Sequence, residues 1–247
     1  MYRQDIARVI ERAHQNGVAR MPTVGVNKKT AVRAVSLAES YPDLYASVGF
    51  HPHDARQCNP AALDFLIKLA DSPKVMAWGE IGLDYNRMYS PREDQERWFV
   101  RQLEIAAELG LPMIFHERDS NGRFLDILKA CLIKGQTGVI HCFSGNTNEL
   151  QQYLGMGLYI GITGIVTIKK RGADLRKFVP LIPVERILIE TDAPYLTPAP
   201  EKNHTRRNEP AFVRFVAQKI GEIHNQPPNI IAEITSANAQ RLFEWSN

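Results

Sequence analysis

Four acidic or imidazole side chains, Glu80, His116, His141 and Asp192, occupy equivalent places in the sequence, each at the end of a short apolar run. Runs rich in Val, Ile, Leu and Phe that are bounded by turn residues are typical of buried strands. A carboxylate at the end of such a strand needs a partner, because an unpaired buried charge is costly and otherwise takes up a proton. The pattern therefore predicts a cluster of interacting polar groups.

Two imidazoles and two carboxylates form a ligand set that suits a divalent metal ion. The chemistry expected of such a site is metal-assisted hydrolysis, in which the ion lowers the pKa of a bound water and offsets charge on the attacked oxygen. A covalent mechanism is less well supported, because Cys142 directly follows His141 and neighbouring residues of a strand point to opposite faces. A single strand-end histidine is more often structural, but four such positions favour a metal site.

The elements that must position these residues alternate along the chain as strands and helices. Seven strand candidates are separated by helical patterns of roughly 10 to 20 residues, which is typical of repeated βα units and a parallel sheet. We therefore predict an α/β fold, a TIM (β/α)8-type barrel, as a single domain over residues 1–247. Active sites of such barrels lie at the C-terminal ends of the strands, where all four residues fall. A doubly wound open sheet is the alternative, but it would place its chemistry at one switch point.

The strand count is one short of the eight that a full barrel contains. The sequence opens on a helical pattern from about residue 3 to 16, where the first strand is expected, so we predict that the first strand is missing. Two later helices carry specific boundary predictions. Ser90-Pro91-Arg92-Glu93 predicts a capping box at a helix start, and Gly135 is expected to end a helix that Ser120 opens.

Composition restricts the cellular setting. The chain has 247 residues, of which 44% are hydrophobic and 23% charged, and a formal charge of +3. Its apolar runs are shorter than the ~18 residues of a membrane span, and its three cysteines lack CxxC spacing. We expect a cytoplasmic protein with reduced thiols and no membrane attachment. Basic clusters at 169–171 and 202–207 are either phosphate-binding loops or solvated surface, and charge alone favours the second interpretation.

Seven short motifs occur in order along nearly the whole chain. They are Gly49-Phe50-His51-Pro52-His53, Gly79-Glu80-Ile81-Gly82-Leu83-Asp84-Tyr85, His116-Glu117-Arg118-Asp119, His141-Cys142-Phe143-Ser144-Gly145, Gly161-Ile162-Thr163-Gly164, Glu190-Thr191-Asp192-Ala193-Pro194-Tyr195-Leu196 and Arg207-Asn208-Glu209-Pro210. This ordered set resembles that of the TatD family of metal-dependent nucleases. The resemblance implies a TIM-barrel hydrolase of the amidohydrolase superfamily, a deoxyribonuclease and 3′-to-5′ exonuclease acting on single-stranded DNA and RNA, with a role in DNA repair.

The resemblance also implies roles for individual residues. Glu80 matches the primary or bridging metal carboxylate, and His116 and His141 match strand-end metal ligands. Asp192 matches the aspartate that binds metal or water and acts as general base, so Glu80 and Asp192 are the expected catalytic pair. The expected substrate-binding residues, which would contact phosphate, are His51, His53, Arg118, Ser144 and Arg207.

The expected cofactor is a divalent metal ion, Mg²⁺ first, with Mn²⁺ or Zn²⁺ as alternatives because imidazole suits those ions better. Most members of the family begin with a strand whose His-x-His pair completes a second metal site, and this sequence does not begin with one. We therefore expect one site formed by Glu80, His116 and His141, and a weaker one shared by Glu80 and Asp192. The expected partner is single-stranded DNA or RNA, bound by a monomer.

Two other functions compete with a nuclease. The first is an amidohydrolase that acts on small amides or lactones, although many such enzymes use a modified lysine where this chain has Glu80. The second is a catalytically impaired barrel that only binds nucleic acid, since a missing strand would leave two unpaired sheet edges. Turnover of an oligonucleotide, or of simple amides and lactones, separates these hypotheses.

Overall fold

The computed structural model describes Tyr2 and residues 4–245. Its strands, in chain order, are β1 (Met21–Gly25), β2 (Leu44–Val48), β3 (Val75–Asp84), β4 (Met113–Arg118), β5 (Gly138–Ile140), β6 (Tyr159–Ile162) and β7 (Ile187–Ile189). Its α-helices are α1 (Ile6–Gln15), α2 (Lys28–Ser40), α3 (Pro60–Leu69), α4 (Arg92–Leu109), α5 (Arg123–Cys131), α6 (Thr147–Gly155), α7 (Ala173–Phe178), α8 (Val213–His224) and α9 (Pro228–Phe243). A 3-10 helix at Pro52–Gln57 follows β2.

Contacts divide the chain into two compact units. The central unit, named for its place in the sequence, comprises the described residues of 20–158 and 242–245. The flanking unit, named because its two segments lie on either side of residues 20–158 in the sequence, comprises Tyr2, residues 4–19 and residues 159–241. The central unit holds β1 to β5 and α2 to α6, and the flanking unit holds β6 and β7. The prediction of one domain over the whole chain stays a prediction.

The five strands of the central unit pair in parallel in chain order, each with the next. Parallel neighbours need a crossover connection, which helices supply between successive strands. All 10 residues of β3 are buried, which is the expected pattern for a strand covered on both faces. This alternation of strand and helix confirms the predicted α/β class.

An aromatic cluster joins the helices α4 and α5 to the strand β4. The rings of Phe99 (α4) and Phe124 (α5) stack with centroids 5.0 Å apart, and Phe115 of β4 meets Phe124 edge-on at 5.7 Å. All three side chains are almost fully buried. Such pairs add about 0.5–1.5 kcal/mol each beyond the area they bury. They hold α4 and α5 against β4, the strand that carries His116.

The flanking unit is built on the parallel pair of β6 and β7, in which Ile160 lies opposite Ile187. Asn238 of α9 is fully buried and donates from Nδ2 to the carbonyl oxygens of Val184 and Ile187, each at 2.8 Å. Arg12 of α1 binds the Glu209 carboxylate through Nε at 2.7 Å and a second nitrogen at 2.9 Å. No helix in the described part of the chain has the length and apolar character that crossing a bilayer requires.

The structure confirms the seven predicted strands and corrects two helix boundaries. The capping box at Ser90 is wrong, because the Ser90 hydroxyl donates to the His53 carbonyl oxygen and accepts from the Arg56 N–H instead. The helix expected to run from Ser120 to Gly135 is shorter, from Arg123 to Cys131. The Ser120 hydroxyl donates to Glu117 at 2.7 Å, which ties it to the preceding strand.

Candidate metal centre

Strand β3 delivers two carboxylates to the site because its pairing with β4 is irregular. Gly79 and Ile81 lie opposite the consecutive residues Ile114 and Phe115, so Glu80 is an extra residue at a β-bulge. Bulges re-aim the side chain that they carry, and they are enriched next to active sites. Four residues further on, Asp84 ends the strand. Both carboxylates are largely buried, with 9% of Glu80 and 1% of Asp84 exposed.

His116 of β4 lies between these two carboxylates. Its Nδ1 is 2.8 Å from Oε1 of Glu80, and its Nε2 is 3.1 Å from Oδ2 of Asp84. The strand residue opposite His116 is Gly82, where a Cβ would lie 1.9 Å from the His116 carbonyl oxygen. Only glycine allows this close approach, at a φ of +146°. The approach brings the imidazole within reach of both acids.

The loop after β2 supplies two more imidazoles. Nδ1 of His51 accepts a hydrogen bond from the His53 N–H at 3.1 Å, so the turn at Pro52 folds the second histidine back beside the first. Nε2 of His51 lies 3.6 Å from Oε1 of Glu80, and Nε2 of His53 lies 2.7 Å from Oδ2 of Asp84. The two rings meet edge-on, with centroids 4.3 Å apart.

His51, His53 and His116 each offer a ring nitrogen, and these three nitrogens lie within 4.8 Å of one another. The spacing allows all three to contact one ion, and the neighbouring carboxylates of Glu80 and Asp84 supply negative charge. The donor set therefore fits a divalent metal ion. We call these five residues the histidine–carboxylate cluster.

Mutual contacts set the charge of the cluster. Burial raises the pKa of the Glu80 carboxyl, but the surrounding imidazoles, His141 first among them, outweigh burial and hold that pKa well below its usual range. The pKa of Asp84 is lowered in the same way: burial raises it, but hydrogen bonds with His116 and His53 outweigh burial. Burial lowers the pKa of His116, yet its contacts with Asp84 and Glu80 raise that pKa to about 9. These contacts favour the protonated ring of His116, which can donate one hydrogen bond to each acid.

Two buried glutamines of α4 hold the backbone around the cluster. Gln95 accepts from the Asp84 N–H at 2.8 Å and donates to the Asp84 carbonyl at 3.1 Å and the Ser90 carbonyl at 2.8 Å. Gln102 binds Phe50 in the same way, accepting from its N–H at 2.7 Å and donating to its carbonyl at 3.0 Å. Each glutamine is 1% exposed. The ends of β2 and β3 are therefore fixed by side chains from one helix.

The other predicted metal residues are placed as follows. His141 directly follows β5, where its N–H donates to the Phe115 carbonyl at 2.9 Å, and its charge acts on Glu80. Asp192 belongs to the flanking unit, with a φ of +55° at a turn that Asn208 holds through the carbonyls of Thr191 and Tyr195. The roles of His141 and Asp192 as ligands stay predictions.

The predicted phosphate contacts have three different surroundings. Arg118 ends β4 and is exposed. Ser144 lines a polar cavity of about 480 Å³ together with Glu117, Asp119 and Glu149. Arg207, in the flanking unit, donates to Asp5 at 2.6 Å and to Glu209 at 2.8 Å. His51 and His53, which the sequence interpretation gave to phosphate, lie in the histidine–carboxylate cluster.

Sequence reasoning missed Asp84, Gln95 and Gln102. Asp84 could have been found, because it lies four residues after Glu80 in one predicted strand, and alternate strand residues share a face. Gln95 and Gln102 are seven residues apart, two helical turns, and so share the face of α4 that carries its buried residues. A polar residue repeated on a buried face is a signal for backbone contacts, since buried polar groups are hydrogen-bonded.

Parallel βα units with imidazoles and carboxylates at the strand ends define a metal-dependent hydrolase of the TIM-barrel class. The family model described as TatD related DNase matches residues 1–244. A protein of Salmonella typhimurium named 3′-5′ ssDNA/RNA exonuclease TatD is 44% identical over 238 residues, which cover 96% of this chain and 92% of the relative. The chain therefore belongs to the TatD related DNase family.

Two solved structures support the fold. The crystal structure of YJJV, a TatD homologue from Escherichia coli, has a TM-score of 0.89 and 28% identity, and the match covers 98% of this chain and 93% of that one. A TatD family hydrolase from Entamoeba histolytica has a TM-score of 0.85 and 26% identity, covering 97% and 89%. The predicted TIM-type α/β fold is confirmed by these matches.

Proposed function

We propose that the chain is a metal-dependent nuclease that hydrolyses phosphodiester bonds of single-stranded DNA or RNA from the 3′ end. The observation that carries the proposal is the meeting of three imidazoles with the buried carboxylates of Glu80 and Asp84. The name of the Salmonella relative, a 3′-5′ ssDNA/RNA exonuclease, supports the substrate class and direction.

His51, His53 and His116 would hold the ion, with Glu80 and Asp84 beside them and His141 as a further predicted ligand. A bound divalent ion supplies Lewis-acid chemistry, which activates water and stabilises charge on a phosphate. Mg²⁺ is the ion first predicted, but three imidazoles form a donor set that Mn²⁺ and Zn²⁺ suit better. An assay of function therefore has to compare the three ions.

The residues of the cluster have distinct tasks in this proposal. Glu80 stays ionised at neutral pH, because its pKa is held low, and so provides a fixed negative charge at the reacting centre. The side chains of Glu80 and Asp84 are 12% and 1% exposed, whereas that of His53 is 31% exposed. Substrate would therefore reach the cluster from the side of His53. Asp192 is the proposed general base, as the family resemblance implies.

The test uses a 3′-labelled and a 5′-labelled single-stranded oligonucleotide with Mg²⁺, Mn²⁺ or Zn²⁺. We expect stepwise removal of nucleotides from the 3′ end by the parent and loss of this activity in Glu80→Gln and His116→Ala. Glu104→Gln is the matched control, because that carboxylate lies on α4 with a side chain 53% exposed. If both site variants cut as fast as the parent, the metal assignment is wrong. Turnover of a lactone or amide without nuclease activity would favour the amidohydrolase alternative.

We further propose that the enzyme acts as a monomer in the cytoplasm. Three cysteines that form no disulfide and the ordinary composition support the location. Sedimentation of the purified chain with and without Mn²⁺ tests the monomer, and a stable dimer would contradict it.

A further inference from the structure

An exposed tyrosine lies beside the open side of the histidine–carboxylate cluster. Tyr89 belongs to the β3–α4 loop, residues 85–91, and is 55% exposed. Its ring meets the ring of His53 edge-on, with centroids 4.8 Å apart and an interplanar angle of 75°. Tyr89 thus contacts a residue of the site, and more than half of its surface is left to solvent. Large aromatic side chains usually bury most of their surface, so this exposure needs a reason.

The β3–α4 loop is held in one conformation at both ends. At its start, Oδ1 of Asp84 accepts from the N–H groups of Asn86 at 3.0 Å and Arg87 at 2.7 Å. At its end, the Ser90 hydroxyl bridges to the turn that carries His53, and Gln95 binds the Ser90 carbonyl. These bonds place Tyr89 between two fixed points, so its ring is a preorganised surface.

The backbone just before Tyr89 is strained. Met88 has a φ of +51°, a region that residues other than glycine rarely adopt. A conformation of this kind persists only where surrounding contacts enforce it, and such residues cluster at functional sites. Arg87 adds a positive charge to the same loop, since it is exposed and forms no ion pair with any residue that the structure describes. An exposed aromatic ring and a free guanidinium on one short loop are the two groups that single-stranded nucleic acids select.

We propose that Tyr89 is the platform on which a nucleobase next to the scissile phosphate stacks. This proposal rests on the nuclease function above and names a substrate-positioning residue for it. A phosphate at the cluster would enter past His53, and the base attached to the same nucleotide would then reach the adjoining ring. Stacking on a tyrosine face tolerates every base, because each base has a π-face. Such stacking fits a nuclease that removes nucleotides without regard to the base sequence.

The experiment separates stacking from packing against His53. KM and kcat are measured for Tyr89→Ala, Tyr89→Leu and Tyr89→Phe on a single-stranded oligonucleotide, and on the same strand with abasic residues at its last two 3′ positions. We expect KM to rise about 10-fold in the alanine and leucine variants and to stay near the parent value in the phenylalanine variant, with smaller changes in kcat. On the abasic strand the three variants and the parent should have similar KM values. Ile133→Ala is the control for loss of an exposed hydrophobic side chain, 58% exposed.

Binding of Mn²⁺, measured by calorimetry, provides the readout that is independent of turnover. It should be equal in all Tyr89 variants and the parent. A leucine variant with the parent KM would show that Tyr89 only packs on His53, and would overturn the proposal, as would an equal KM increase on the abasic strand. If the parent itself cleaves neither strand, the nuclease function and this proposal both fall. If the parent cleaves and Tyr89→Ala has the parent KM, the stacking role of Tyr89 is wrong and the nuclease function stands.

Discussion

Gly82 and His116 approach so closely that residue 82 has no room for a side chain, since a Cβ there would lie 1.9 Å from the His116 carbonyl oxygen. We predict that Gly82→Ala separates β3 from β4 and lowers the free energy of unfolding by about 3 kcal/mol or more, from the clash and the strain at a φ of +146°. Urea denaturation measures the loss. Gly155→Ala, where an added Cβ would meet no atom within 4 Å outside the adjoining backbone of its own helix, is the control and should change stability by less than about 1 kcal/mol. Equal midpoints for the two variants would contradict the close approach.

Gln102 is predicted to contribute to stability because it satisfies both backbone groups of Phe50. Gln102→Met keeps the shape of the side chain but leaves a buried N–H and a buried carbonyl without this partner. Each unsatisfied group costs about 1–3 kcal/mol, so for two groups we expect a loss of roughly 2–6 kcal/mol in the free energy of unfolding. Thermal melting of Gln102→Met against Gln151→Met, at an exposed position of α6, checks this. A loss no larger than that of the control would show that Phe50 finds another partner.

Asp84 is predicted to support metal binding, although sequence analysis did not select it. Asp84→Asn keeps Oδ1 as the acceptor for the β3–α4 loop and removes the charge that faces His53 and His116. We expect Mn²⁺ affinity to fall about 10- to 100-fold, as it does when a residue that orients metal ligands is replaced. Calorimetric titration measures the change, with the exposed Asp71→Asn as control. Unchanged affinity with unchanged stability would exclude Asp84 from the metal centre.

The strands and the polar residues at their ends could be predicted from the sequence, because both are visible in local sequence patterns. An apolar run predicts a buried strand, and a polar residue at its end is visible without any knowledge of its neighbours. Glu80 and His116 were found in this way, and the structure places them 2.8 Å apart. The bulge at Glu80 depends on how β3 pairs with β4, whose partners Gly79 and Ile114 are 35 residues apart in the sequence. No local pattern indicates such a pairing.

The position of His51 and His53 could not be predicted for a related reason. The family resemblance implies that both residues contact phosphate, and it gives them no role as metal ligands. In the structure a hydrogen bond from the His53 N–H to the His51 ring turns the chain back, so that both rings reach the carboxylates. The conformation of a turn is fixed by its own hydrogen bonds, and the same residue types are compatible with several turn conformations.

His116 is predicted to release a proton when the metal binds. Its pKa in the metal-free chain is raised from 6.5 to about 9, so the charged ring stabilises the metal-free fold fully below pH 6.5, and that contribution is lost as pH rises through about 9. An ion must take the place of the proton, because metal ligands are unprotonated imidazoles. Mn²⁺ affinity should therefore rise about tenfold per pH unit between pH 7 and 9.

Calorimetry at pH 7 in two buffers of different ionisation enthalpy counts the protons, and we expect about one per ion bound. Asp84→Asn serves as the matched comparison, since loss of one of the two carboxylates on His116 lowers the pKa of the ring and should reduce the number of protons released. Zero proton release by the parent together with a flat affinity from pH 7 to 9 would show that His116 is neutral before the metal arrives. The contacts of its ring nitrogens with Glu80 and Asp84 would then involve one donated hydrogen bond instead of two.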